Sequence, residues 1–167
     1  MTFYSLFDFA NPAEISLFYP IDDRVMGGVS SSGLAATGDH TATFRGVVSL
    51  ENNGGFASIR APLECSDLSN GKGIVLRALG DGKRYKLRLM NSSSLNSLVY
   101  ESSFVSSPGH WKEFELPFSS FIAVSRGKPV ENAPEFDKNQ ICALGLMISE
   151  KQSGEFSLCL DWIRVYD

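Results

Sequence analysis

Histidine, cysteine and basic charge are all scarce in this sequence, and each scarcity closes off a class of function. Two histidines among 167 residues, His40 and His110, stand far apart with no H-E-x-x-H or other ligand spacing, which argues against a zinc centre. The three cysteines, Cys65, Cys142 and Cys159, are odd in number and widely separated. They form no C-x-x-C, so a disulfide framework is not expected, and Cys142 and Cys159 read as small core side chains in a reducing cytoplasm. Fifteen Lys and Arg against nineteen Asp and Glu leave a net charge of −4. With an isoelectric point near 5.2, the chain lacks the footprint of a general nucleic-acid binder. No apolar run approaches the roughly 20 residues of a membrane-spanning helix, so no direct membrane span is expected. Residues 1–10 have neither a basic n-region nor an apolar h-region, and Asp8 and Glu14 come early for a transit peptide. Also missing are a G-x-G-x-x-G opening a helix, a phosphate loop and a G-x-S-x-G elbow. No cofactor, metal or catalytic group is therefore expected, and the chain is read as a non-enzyme.

What is present is a core. Hydrophobic residues make up 43% of the chain, enough for one globular domain over residues 1–167. Gly, Ser, Asn and Asp recur about every ten residues between short segments rich in Val, Ile, Phe and Leu, the signature of an all-β sandwich or barrel. Alternation predicts strands over residues 41–50, 85–90 and 156–160, with a bulge after Asp161 where the phase changes. Residues 73–79 and 143–149 read as more deeply buried strands. In residues 85–90, Tyr85, Leu87 and Leu89 oppose Lys86 and Arg88. Asp81-Gly82 predicts a hairpin and Asn70-Gly71 a turn. One short helix is expected, with Asn11 as cap, Pro12 in the first turn and residues 13–18 following. Residues 124–139 read as a long loop.

Three segments carry the candidate chemistry. In residues 22–32, two acids, an arginine, a glycine pair and three serines follow each other closely. They form either a structural loop in which Asp23 pairs with Arg24, or a recognition loop at the rim of a sandwich. In residues 54–60, Phe56, Ser58 and Arg60 share one face and Ala57 and Ile59 the other, so a core-facing Ile59 would leave Arg60 projecting from a sheet. Arg77, Asp81, Arg84 and Tyr85 could join Arg60 in one cluster, as a solvated face or as a ligand groove. The third segment holds Trp111, Leu116-Pro117-Phe118, Phe121 and Arg126-Gly127. Its Phe and Pro close one end of the core, and Trp111 is either core or a ligand platform.

In order along the chain, Asp23-Arg24-Val25-Met26-Gly27-Gly28-Val29-Ser30, Gly54-Gly55-Phe56-Ala57-Ser58-Ile59-Arg60, Gly80-Asp81-Gly82 with Tyr85, and Trp111 with Leu116-Pro117-Phe118 and Phe121 form a series. Leu144-Gly145-Leu146, Lys151-Gln152-Ser153-Gly154 and Phe156-Ser157-Leu158 complete it. With this series the sequence resembles the complex I intermediate-associated protein family, whose mitochondrial member is an assembly factor for respiratory NADH:ubiquinone oxidoreductase. The resemblance implies a galactose-binding-domain-like jelly-roll β-sandwich, similar to carbohydrate-binding modules. It also implies a protein-binding module that helps assemble a membrane redox complex, with the complex's subunits or other assembly factors as partners. Asp23, Arg24, Arg60, Asp81 and Arg126 are then the expected polar contacts or the scaffold beneath them, and Tyr85 and Trp111 the aromatic anchors. A carbohydrate is the alternative ligand. Without a targeting segment the expected setting is the bacterial cytoplasm, at most peripheral to the inner membrane.

Overall fold

Strands laid down by apolar alternation assemble into two antiparallel sheets that face each other across one core, as the computed structural model of residues 2–23, 27–92 and 98–167 describes them. The first sheet holds β1 (Phe3–Asp8), β3 (Ser31–Ala36), β4 (Ala42–Val48), β6 (Gly73–Leu79), β9 (Lys112–Pro117) and β13 (Gly154–Tyr166). The second runs in the order β11 (Lys128–Pro129), β10 (Ile122–Ser125), β8 (Val99–Val105), β7 (Arg84–Met90), β12 (Ile141–Ile148), β5 (Ala57–Ser66) and β2 (Tyr19–Pro20). This is the expected β-sandwich, and its one α-helix among the described residues is α1 (Pro12–Ile15). The Asn11 side chain caps that helix by accepting from the Ala13 amide at 3.0 Å, and Pro12 occupies its first turn.

Strand β13 organises the first sheet. It is 13 residues long, pairs with β6 on one side, and on the other pairs with β4 through its first half and β1 through its second. The register slips between Leu160 and Trp162, where the sequence predicts a bulge. Asp161 sits at that slip and accepts from Arg77 Nη1 at 2.8 Å.

Between the sheets, Phe44, Tyr85, Phe104, Phe114 and Phe156 form a chain of tilted, edge-on and stacked rings. Leu76, Leu87, Leu89, Leu144, Leu146, Leu158 and Ile163 pack with them at zero exposure. Phe118, Phe121 and Phe136 close one end against Tyr100.

Three local expectations are corrected. Asp81-Gly82 does not make a hairpin: β6 belongs to the first sheet and β7 to the second, so the turn carries the chain from one sheet to the other. Gly82 has the positive φ of 89° that the dipeptide signals, but that signal does not say whether the flanking strands pair. Residues 124–139 are not all loop. β10 and β11 form a tight hairpin, with Ser125 opposite Lys128 and the turn residues Arg126 and Gly127 at φ 51° and 78°. Cys65 and Cys142, expected as free thiols, are joined in a disulfide although 77 residues apart. β5 and β12 are antiparallel neighbours, and the register slip between Ile141 and Ala143 brings Cys142 to Cys65. Linear spacing carries no trace of that pairing. Cys159 remains a thiol, next to the Thr43 hydroxyl.

Candidate functional site

Two buried charge clusters stand out, one where β3 and β4 of the first sheet meet the start of β5, the other on the outer side of the seven-stranded sheet. The first is built on the consecutive aspartates that open the 22–32 segment. Asp23 is fully buried, and its carboxylate accepts from the Ser30 amide at 2.9 Å, the Ser30 hydroxyl, the Gly55 amide at 2.8 Å and the Phe56 amide at 3.4 Å. Burial alone would raise its pKa. The four hydrogen bonds outweigh that and hold the carboxyl below its ordinary range. The glycines of both motifs serve this carboxylate, since a Cβ at Gly28 would overlap it directly and one at Gly54 would crowd its Oδ2. Asp22 accepts from the Ser32 hydroxyl at 2.6 Å and the Ser58 amide at 3.0 Å, tying the same loop to β5. Two motifs that stand about thirty residues apart in sequence are therefore one hub. Among the described residues its partners are hydroxyls and backbone amides; Arg24, the expected ion-pair partner, lies outside the described residues.

The second cluster is a row across the sheet. Strand register aligns Tyr19, Arg60, Gly145, Arg88, Glu101 and Ile122 on adjacent strands. Ile59, Ala61, Leu87, Leu89, Leu144 and Leu146 face the core, so their neighbours Arg60, Arg88 and Gly145 face outward. Arg88 Nε donates to Glu101 at 3.1 Å, and Lys86 Nζ lies 3.3 Å from the same carboxylate. Arg60 is different. It is only 7% exposed, its Nη1 is buried with no hydrogen-bond partner, and it joins no ion pair among the described residues. Burial pushes the Arg60 pKa down, with Tyr19 opposing, and burial does the same to Arg88, with Glu101 opposing. Beside the row, Met90, Val99, Val124 and Ala143 form a small apolar cluster.

The other expected site residues are placed apart from this face. Arg77 lies on β6 of the opposite sheet and Trp111 just ahead of β9, and the Arg77 guanidinium stacks 4.8 Å over the Trp111 ring and pairs with Asp161. Trp111 is thus half-buried beneath an arginine, neither core nor an open platform. Tyr85, expected as an anchor, points into the core at zero exposure and donates to Asp81 at 3.0 Å. Burial first, then the Asp81 charge, raises its pKa. Asp81 also accepts from the Lys83 and Ser157 amides at 3.0 Å each, fixing the crossover between the sheets. Arg126 is exposed at its hairpin turn. A single cluster of Arg60, Arg77, Asp81, Arg84 and Tyr85 is therefore corrected: the sandwich separates them onto two outer faces and the core. An open groove of about 800 Å³ runs along β3, β4 and β13 on the first sheet, past Gly33, Arg45 and Gly46.

Sequence reasoning did not single out Arg88, Glu101 or Gly145 as site residues. Alternation placed Arg88 on the outward face, but only the register of β5, β12, β7 and β8 brings these residues beside Arg60.

Comparison with known proteins identifies relatives of the chain. The family model described as complex I intermediate-associated protein 30 matches residues 7–160. An uncharacterised protein of Schizosaccharomyces pombe is 34% identical over 169 residues, covering 88% of this chain and 76% of that protein. The complex I intermediate-associated protein 30, mitochondrial, of Mus musculus is 25% identical over 104 residues, covering 60% of this chain and 32% of that protein. The chain thus spans about a third of the length of that mitochondrial relative. Among solved structures, the family 11 carbohydrate-binding module from Clostridium thermocellum in complex with a β-1,3-1,4-mixed-linked tetrasaccharide superposes with a TM-score of 0.73 at 17% identity. It covers 98% of this chain and 95% of that one, which shows the galactose-binding-like sandwich fold. The expectation of a bacterial cytoplasmic setting is corrected, because the named relatives are eukaryotic and mitochondrial. The early residues of the sequence were too weak a basis for it.

Proposed function

The chain belongs to the complex I intermediate-associated protein 30 family, and from that premise we propose that residues 1–167 act as one non-catalytic binding module that helps assemble a membrane redox complex of the respiratory complex I type. The family match over residues 7–160 carries this reading. The mitochondrial names of its relatives support the same setting. Its partners are subunits of such a complex or other assembly factors. On this reading Asp23 and Asp81 are scaffold, Tyr85 supports Asp81 from the core, and Arg60 with its neighbours supplies polar contact. Arg24, Trp111 and Arg126 are further contact residues. Carbohydrate binding is the second reading, favoured by the fold likeness to a module seen with a bound tetrasaccharide; fold likeness alone does not place a ligand.

Affinity capture from the native host, read by mass spectrometry, tests the proposal. Enrichment of complex I subunits or assembly factors by the native chain is the expected result. Equal enrichment by an Arg60→Met variant keeps the function and moves the contact away from Arg60. No such enrichment, together with saturable binding on a glycan array, replaces assembly with carbohydrate recognition.

A further inference from the structure

We propose that the outer face of the seven-stranded sheet is an oxyanion site, in which Arg60 and Arg88 hold a carboxylate or phosphate group above Gly145. The inference does not depend on the assembly reading. It starts from Arg60, a residue only 7% exposed whose buried Nη1 has no hydrogen bond. A desolvated cation without a counter-ion is strongly unfavourable, and folded chains rarely retain one unless something pairs with it. The one carboxylate in the row, Glu101, is engaged by Arg88 and Lys86 and forms no ion pair with Arg60. Three cations thus face one carboxylate, on a chain whose net charge is negative. This cluster carries surplus positive charge where the molecule as a whole has none.

The geometry suits a small planar or tetrahedral anion. Arg60 and Arg88 flank Gly145 on the two strands next to β12, so their Cα atoms are about 10 Å apart, two strand spacings. Gly145 has no side chain to fill the interval, and the two guanidiniums can close over one oxyanion from either side. A guanidinium presents forked N–H donors that match the paired oxygens of carboxylate and phosphate alike. The row is not sealed. Arg88 keeps 12% side-chain exposure, and Tyr19, next to Arg60 at the sheet edge, is 43% exposed and offers a hydroxyl to an arriving anion.

The test is a titration of the whole chain, in chloride buffer at fixed ionic strength, with inorganic phosphate and separately with acetate. The readout is the amide and arginine Nε–H resonances of Arg60, Gly145 and Arg88. Saturable shifts at these three residues with phosphate alone assign a phosphate site, with acetate alone a carboxylate site, and with both a general oxyanion site. Arg60→Met, which keeps the stem but removes charge and donors, is expected to weaken binding at least about tenfold. Glu101→Gln, which frees Arg88, is expected to tighten it. Binding unchanged in both variants, or no saturable shift at these residues with either anion, overturns the proposal.

Discussion

Two neighbouring clusters of buried charge, the Asp22–Asp23 hub and the Arg60 row, meet opposite fates in this fold. The hub is saturated: the Asp23 carboxylate receives donors from Ser30, Gly55 and Phe56, and two glycines stand back to make room for it. The row is left open, with Arg88 paired and Arg60 in no ion pair among the described residues. A buried carboxylate met by backbone amides is a structural rivet, because its partners are fixed in the chain itself. A buried cation without a partner costs stability, and that cost is what the proposed anion would offset. Asp22 and Asp23, in the most distinctive stretch of the sequence, are therefore scaffold, and the proposed anion-holding residues lie on strands nearby.

Asp23→Ala would break this contrast most severely. It leaves the Ser30 and Gly55 amides buried without acceptors, and a loss of about 3–5 kcal/mol in urea unfolding is expected. Acid acts on the same group more gently. Because the folded Asp23 pKa lies below its unfolded value, its stabilisation is complete above the unfolded pKa of about 4 and is lost as pH falls through the folded value. Melting temperature should therefore decline below about pH 4, and Asp23→Asn should flatten that decline. Gly28→Ala tests the hub's shape instead of its charge. The new methyl must displace the Asp23 carboxylate, and a cost of about 2 kcal/mol is expected from the same unfolding measurement.

Much of the sandwich was legible along the chain because alternation is local. The β4, β6, β7 and β13 segments, the bulge at Asp161 and the Asn11 cap all follow from neighbouring residues. Pairing is not local. Asp81-Gly82 shows a turn but not that its strands part into different sheets, and Cys65 and Cys142 meet only through the register of β5 and β12. The candidate face was half legible for the same reason. Arg60 stood out in its motif, whereas Arg88, Glu101 and Gly145 join it only through four strands placed side by side.

The contrast is measured most directly by thermal unfolding of Arg60→Met and Asp23→Asn beside the native chain, in buffer free of phosphate and carboxylate. If Arg60 is an unpaired cation on a scaffold it does not hold together, Arg60→Met will melt at or above the native temperature, with a gain of about 1 kcal/mol, while Asp23→Asn falls sharply. A loss in Arg60→Met as large as that in Asp23→Asn would contradict this, and would make Arg60 part of the scaffold as well.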